Sequence, residues 1–120
     1  MKRSEIWCAS LPAPTGSGPG FRRPIVVIQS NPFNQSRIGA VVVAIVTSNL
    51  SLAEVPGNVE IGKADSGLPK PSIANVPQLC TLDRNQLTQR VRGLPAETMH
   101  AVEEGLWLGL WRAGRLDSNP

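Results

Sequence analysis

The sequence has few of the residues that metal sites, disulfide frameworks and membrane spans require. It contains one histidine and two cysteines, Cys8 and Cys80, and neither cysteine has CxxC or Cys/His spacing. We therefore predict no metal site and no cofactor, and expect both thiols to be reduced and packed as small apolar groups. No apolar run reaches the length of about 18 residues that a membrane helix needs, and no signal-peptide pattern follows the first residues. These absences predict a cytoplasmic protein without a membrane segment.

Length and charge indicate one small domain with an uneven basic surface. The chain has 120 residues, 41% of them hydrophobic, and a net charge of +3. We expect a single domain over residues 1–111 and a polar tail over residues 112–120. Residues 1–37 carry five basic groups against one acidic group. This excess favours a phosphate-rich or acidic partner, although a small net charge also serves ordinary solubility.

Short apolar runs rich in β-branched residues predict a mainly β fold. Pro24 is expected at the start of a strand buried on both faces, and residues 39–46 should form the central strand. The predicted strands span residues 5–11, 25–28, 39–46, 59–61, 72–76 and 89–93. Because no long helix separates them, they predict a small barrel.

One convincing helix is predicted, from Pro95 to about Trp111. A proline in the first turn and apolar residues at three- and four-residue spacing support it. Trp107 and Leu108 widen its apolar face, which favours packing against a partner subunit as well as the barrel. His100, the only histidine, lies within this helix and is interpreted as a surface or packing residue.

The segment before the second strand joins a flexible loop to two arginines. Residues 12–20 are rich in glycine and proline and predict a mobile loop that could cover a groove. Arg22 and Arg23 follow it, where a fixed positive charge can bind a phosphate. Thr47 and Ser48 close the central strand, and their hydroxyls can bind a ligand or the local backbone.

Six ordered motifs make the chain recognisable. They are Gly-x-Arg-Arg-Pro-x-Val-Val, Ala-Ile-Val-Thr-Ser-Asn, Pro-Gly-Asn-Val, Gly-Leu-Pro-Lys, Thr-Leu-Asp-Arg and Pro-x-Glu-x-Met. From about Glu5 to Leu110 the chain resembles the MazF/PemK family of toxin endoribonucleases. The resemblance implies an SH3-like (PemK-like) barrel with a C-terminal helix, forming a homodimer. It also implies metal-independent, sequence-specific cleavage of single-stranded mRNA and a cognate MazE-like antitoxin.

The resemblance implies that Arg23 and Thr47 are the catalytic pair. RNA supplies its own nucleophile, the 2′-hydroxyl, so the protein must align it and stabilise the added negative charge. A bidentate arginine suits that task, and Thr47 is expected to donate to a phosphate oxygen. The products would be a 2′,3′-cyclic phosphate and a 5′-hydroxyl. Further RNA contacts are expected from Arg22, Ser48, Asn75 and Gln78, each of which is about as well explained as a plain structural hydrogen bonder.

Departures from the family pattern place the chain nearer its MazF branch. Asn75 and Pro77 stand where the PemK-like branch has arginine and aspartate, and Cys80 stands where many MazF relatives have arginine. No general acid or base follows from the sequence. The alternative function is a non-catalytic toxin of the same fold that binds a protein such as DNA gyrase, and a decayed toxin that still binds antitoxin is a third possibility.

Overall fold

The computed structural model describes residues 1–11 and 21–109, and it has the predicted mainly β architecture with a C-terminal helix. The predicted loop 12–20, the last residues of the predicted helix and the tail 112–120 lie outside the described residues. The strands are β1 (Glu5–Leu11), β2 (Phe21–Val27), β3 (Ala40–Thr47), β4 (Val59–Ile61), β5 (Ser72–Asp83) and β6 (Leu87–Gly93). The helices are α1 (Asn31–Asn34), α2 (Lys63–Ser66) and α3 (Ala96–Trp107), with 3-10 turns at Leu50–Glu54 and Arg84–Gln86.

The six strands form one sheet in the order β4-β5-β3-β2-β1-β6, and every neighbouring pair is antiparallel. β3 lies inside the sheet between β2 and β5, which confirms the prediction that it is central. Its run of β-branched residues suits that position because such side chains pack well on both faces of a pleated strand.

The sheet is buried on both faces, and β3 shows this most clearly. Ala44 and Val46 belong to one apolar cluster, whereas Val43 and Ile45 belong to another. Successive strand residues point to opposite faces, so the two clusters lie on opposite sides of the sheet. The first cluster also contains Met99 and Val102 of α3, so that helix covers one face.

Pro24 corrects the expected start of the second strand. We predicted that Pro24 opens a strand over residues 25–28, but β2 already begins at Phe21, where it pairs with β1. Pairing of β2 with β3 is recorded only from Ile25 onwards. At Pro24 the strand therefore has a neighbour on one side only, and a proline is tolerated at such an open edge because the missing N–H is not needed there.

β5 is longer than predicted and carries an irregularity. Ala44 of β3 faces Leu79, whereas the next residue, Ile45, faces Asn75. Residues 76–78 are thus inserted opposite a continuous stretch of β3. Pro77 explains why the sequence seemed to end the strand near Val76, because a proline cannot donate to a regular ladder.

α3 packs against the turn before β4 at very close range. Met99, Val102 and Gly105 are its buried residues. A Cβ atom added to Gly105 would lie 2.0 Å from the carbonyl oxygen of Gly57, which itself has a φ of +89°. Both positions therefore require glycine, one for the approach of two backbones and the other also for its left-handed conformation.

Candidate functional site

A pocket among the described residues lies where β2 and β3 separate. It encloses about 430 Å³ and is open to solvent. Its walls come from β1, β2, the end of β3 and the segment that leads into β5. The lining residues are Cys8, Arg23, Pro24, Val46, Thr47, Ser48, Leu68, Pro69, Lys70 and Ser72. Three residues predicted as functional, Arg23, Thr47 and Ser48, are therefore brought together.

Strand register places Arg23 and Thr47 at the same end of the β2–β3 pair. Ile25 of β2 faces Ile45 of β3, and in these antiparallel strands Arg23 lies two residues before Ile25 whereas Thr47 lies two residues after Ile45. Because side chains two apart in a strand share a face, both residues are on the face of Ile25 and Ile45. The Arg23 guanidinium carbon lies 5.8 Å from the centre of the Phe21 ring, a cation–π distance.

The Thr47 hydroxyl is oriented by the chain that follows it. Its oxygen accepts a hydrogen bond of 3.2 Å from the backbone N–H of Asn49. Asn49 in turn caps the 3-10 turn, with its side-chain oxygen accepting from the N–H and the hydroxyl of Ser51. A hydroxyl has one proton and two lone pairs, so accepting this bond does not use the Thr47 proton, which can still be donated to another group.

The charges of the pocket lining are all positive. Arg23 and Lys70 are its ionisable cations, and no carboxylate is among the lining residues. The ion pairs of the described chain join Arg3 to Glu103, Arg90 to Glu5 and His100 to Glu104, so neither pocket cation is neutralised by them. With Thr47 and Ser48 as hydroxyl donors, the pocket suits an anionic group such as a phosphate.

Sequence reasoning missed the α2–β5 side of the pocket. Lys70 and Ser72 line it together with Leu68 and Pro69. The Gly-Leu-Pro-Lys motif drew attention to this segment, but it was interpreted only as a loop and part of the resemblance. Its proximity to Arg23 depends on the pairing of β5 with β3, which local sequence does not reveal.

The two cysteines have different environments. Both are free thiols. Cys8 lies opposite Pro24 in the β1–β2 pairing and lines the pocket, a position that the sequence did not suggest. Cys80 packs against the second apolar cluster, and burial raises the pKa of its thiol. Cys80 is therefore less inclined than an ordinary thiol to form a thiolate.

The other predicted RNA contacts lie outside the pocket lining. Arg22 is exposed, and its Nη2 donates 3.1 Å to the Thr88 hydroxyl. Asn75 is buried, and its amide accepts from the Asn58 side chain at 2.8 Å and donates to Gln78 at 2.7 Å. Gln78 is exposed on the irregular part of β5. Asn75 thus ties the Asn58 turn to Gln78.

The single histidine and two of the three tryptophans lie away from the pocket lining. His100 is exposed on α3, 3.8 Å from Glu104 on the next turn. Trp7 packs against the second cluster and donates through Nε1 to Glu5 at 3.1 Å. Trp107, at the end of α3, is half exposed. Trp111 lies outside the described residues.

Metal-ligand clusters and membrane-spanning helices are both absent from the described residues. In residues 1–11 and 21–109 there is no group of three or more histidine, cysteine or acidic side chains arranged to hold a metal ion. No helix in the same ranges is both long and apolar enough to cross a membrane.

The sequence is similar to known toxins over most of its length. A family model described as "PemK-like, MazF-like toxin of type II toxin-antitoxin system" matches residues 2–109. Endoribonuclease MazF6 of Mycobacterium tuberculosis is 46% identical over 106 residues, which cover 88% of this chain and 93% of that protein. Endoribonuclease EndoA of Bacillus subtilis is 34% identical over 110 residues, which cover 92% and 94% of the two chains.

The fold is similar to that of solved toxins as well. An endoribonuclease in complex with its cognate antitoxin, from a mycobacterial species, superposes with a TM-score of 0.73 at 22% identity. The match covers 92% of this chain and 96% of that one. This likeness confirms the expected PemK-like barrel.

Proposed function

The chain belongs to the family of PemK-like, MazF-like toxins of type II toxin–antitoxin systems, and we propose that it is an endoribonuclease that cuts single-stranded mRNA and so blocks translation. The observation that carries the proposal is the meeting of Arg23 and Thr47 in one open, cationic pocket. The endoribonuclease relatives at 46% and 34% identity support the same reaction.

In the proposed reaction the RNA provides the nucleophile. The 2′-oxygen attacks the adjacent phosphorus, the bond from phosphorus to the 5′-oxygen breaks, and a 2′,3′-cyclic phosphate and a 5′-hydroxyl result. The 2′-hydroxyl loses one proton and the leaving oxygen gains one, and we propose that both are exchanged with solvent. The protein then contributes by alignment and by stabilising the charge of the five-coordinate phosphorus.

Arg23 is the proposed binder of the scissile phosphate. Its guanidinium is permanently charged and can donate two parallel hydrogen bonds to phosphate oxygens. Arg23 is partly buried and packs near the Phe21 ring, so its position is restricted before RNA arrives. A donor that needs no rearrangement stabilises a transition state better than one that must be ordered during the reaction.

Thr47 is the proposed second donor to the same phosphate. Its oxygen already accepts from the Asn49 N–H, which leaves the hydroxyl proton directed to another acceptor. Ser48, the next lining residue, is proposed to contact the RNA beside the cut. Arg22 and Gln78 would bind flanking nucleotides, and Asn75 would orient Gln78 through their 2.7 Å hydrogen bond.

The proposal includes a homodimer, a cognate MazE-like antitoxin and action in the cytoplasm. The solved complex of a similar endoribonuclease with its cognate antitoxin supports the antitoxin. Trp107 and Leu108 support the homodimer, because large apolar side chains exposed next to each other at the end of α3 favour burial in a subunit contact. Residues 1–111 would form the toxin domain and residues 112–120 a polar tail.

The test is an RNA cleavage assay in EDTA. Purified protein is incubated with a long mixed-sequence RNA, and the new ends are mapped and their chemistry determined. We expect cuts at a short recurring motif, with 2′,3′-cyclic phosphate and 5′-hydroxyl ends. Arg23→Ala should abolish cutting, whereas Arg37→Ala, which removes an exposed arginine outside the pocket lining, should leave it in place.

Three results would overturn the proposal. Intact RNA after incubation with the folded wild-type protein would remove the endoribonuclease activity. Equal cutting by Arg23→Ala would remove the assigned site. Inhibition of gyrase supercoiling by a protein that cuts no RNA would favour the non-catalytic alternative.

A further inference from the structure

The pocket contains a second cation besides the proposed catalytic arginine. We propose that Lys70 binds a backbone phosphate of the RNA adjacent to the phosphate held by Arg23. This inference rests on the proposed function, because it assigns a further binding residue to the same pocket. It starts from the position of Lys70 in the pocket lining.

The backbone that carries Lys70 is anchored at both ends. Before it, Gly67 ends α2 in a left-handed conformation with a φ of 74°, and the buried Ser66 hydroxyl accepts from the Leu68 N–H at 3.0 Å. After it, the buried Ser72 hydroxyl donates to the Lys70 carbonyl at 3.0 Å. The backbone at Lys70 is thereby tied directly to the first residue of β5.

The prolines on either side of Lys70 restrict this segment further. Pro69 and Pro71 each fix their own φ and limit the conformation of the residue before them. Lys70 is therefore presented from a short segment with few alternative backbone states. Less conformational entropy is then lost when a ligand binds to it.

The electrostatic surroundings leave the Lys70 charge available to an anion. Lys70 is exposed, and it takes part in none of the ion pairs of the described chain. The lining residues include no carboxylate that could neutralise it. An ammonium without a neighbouring carboxylate attracts phosphate. The lysine ammonium is a point charge on a flexible side chain, so it binds phosphate without the fixed two-bond geometry of arginine.

Sheet order places the backbones of Arg23 and Lys70 on opposite sides of β3, a separation that suits two different phosphates. Arg23 lies on β2, and Lys70 precedes β5, and these two strands flank β3 on opposite sides. Two interstrand spacings put the backbones of β2 and β5 about 10 Å apart. An extended RNA backbone that crosses the end of β3 at Thr47 would present one phosphate to Arg23 and its neighbour to Lys70.

The test compares the salt dependence of RNA binding in matched variants. The probe is a fluorescent single-stranded 2′-fluoro RNA of mixed sequence, which keeps the phosphates but lacks the 2′-hydroxyl nucleophile. Binding is measured over a range of KCl concentrations for the wild type, Lys70→Gln, Lys70→Arg and Lys63→Gln. Lys63 is an exposed lysine of α2 that is not among the lining residues, and it serves as the control.

We expect Lys70→Gln to weaken binding and to lower the slope of log K against log salt by about 0.7, the value for one single-strand phosphate contact. Lys70→Arg should restore the slope, and Lys63→Gln should match the wild type. In cleavage assays Lys70→Gln should raise KM by about tenfold or less and change kcat little, since a contact made equally in the ground and transition states affects binding alone. Urea unfolding of each variant verifies folding.

The outcomes separate this inference from the proposed function. A slope unchanged in folded Lys70→Gln would overturn the inference even if the wild type cuts RNA. A loss of kcat with unchanged KM and slope would also overturn it, because Lys70 would then act at the reacting phosphate. If the wild type cuts no RNA but Lys70→Gln still lowers the slope, the phosphate site stands and the nuclease proposal fails.

Discussion

Arg23 of β2 and Thr47 of β3 each lie two residues beyond Ile25 and Ile45, the last paired residues of these neighbouring strands. The strands separate at this point, and the pocket opens between them. The two side chains are thus placed by the register of a buried sheet and not by a loop. A change of register by one residue would turn one of them to the other face.

The Thr47 hydroxyl is expected to act mainly on the chemical step. Thr47→Val keeps the shape of the side chain and removes the donor, and we expect kcat to fall by about 100-fold, as for loss of one preorganised donor. Thr47→Ser keeps the hydroxyl and should retain most of the activity. Single-turnover cleavage of a labelled RNA measures this step, and equal rates for the valine and serine variants would contradict the assigned role.

The geometry of the Arg23 guanidinium should matter as well as its charge. Arg23→Lys keeps one positive charge but loses the planar fork that binds two phosphate oxygens. We expect a loss of kcat of about 100-fold, the lower end of the range for losing one preorganised donor, with a smaller change in RNA binding. Parallel measurement of kcat and of 2′-fluoro RNA affinity tests this. Full activity in the lysine variant would mean that charge alone suffices.

The contact between α3 and the Gly57 turn should not tolerate a methyl group. A Cβ atom at Gly105 would lie 2.0 Å from the Gly57 carbonyl oxygen, far inside van der Waals contact. We expect Gly105→Ala to lower the free energy of unfolding by about 3 kcal/mol, at the upper end of overpacking effects. Urea denaturation measures the loss.

Gly39 offers a matched control for that substitution. A Cβ atom there would meet no other atom within 4 Å, so Gly39→Ala should be neutral or slightly stabilising. If Gly105→Ala were as stable as Gly39→Ala, the close approach of helix and turn would be wrong.

Glu5 should make stability depend on acid pH. Burial by itself raises the pKa of this carboxyl. Hydrogen bonds from Arg90, from the Trp7 indole and from the Lys2 backbone N–H together lower it by more than burial raises it, so the net pKa lies below the ordinary 4.5. A lowered native pKa stabilises the fold above the unfolded-state pKa, and that stabilisation is lost as the pH falls through the native value.

The Glu5→Gln variant tests this linkage. At neutral pH we expect it to be less stable than the wild type by about 1 kcal/mol, a modest value because Arg90 is half exposed and its charge is screened. The difference should shrink below pH 4.5, where the wild type also loses its charge. Glu54→Gln, on the exposed 3-10 turn, is the control and should follow the wild type. A constant difference at all pH values would contradict the prediction.

Local sequence was sufficient to predict those elements whose bounds are set by the residue pattern along the chain. The β1 bounds, the central β3, the short β4 and the start of α3 follow from apolar patterning and from proline and glycine positions. The same reasoning failed at Pro24 and Pro77. The second strand was expected to begin at Pro24 and the fifth to end at Val76, yet Pro24 stands at an open edge within β2 and Pro77 lies within an irregular stretch of β5. Strand pairing, which is non-local, decides such cases.

In the candidate site too, local sequence identified some residues, whereas others depend on non-local strand pairing. Arg23 and Thr47 were found by resemblance, and Ser48 because it follows Thr47. Cys8 and Lys70 went unrecognised because their proximity to Arg23 arises from strand pairing, of β1 with β2 for Cys8 and of β3 with both β2 and β5 for Lys70. For Asn75 the sequence left open an RNA contact or a structural hydrogen bond, because its partner Asn58 is 17 positions away and only the folded chain brings them together.

Because β3 contributes side chains to both apolar clusters, it couples the unfolding of the two faces of the sheet. Since alternate side chains of this strand belong to clusters on opposite faces, both clusters lose their shared wall when β3 leaves the sheet. The two faces should therefore melt as one cooperative unit. The amide protons of β3 should exchange with solvent only through global unfolding, slower than those of the edge strands β4 and β6.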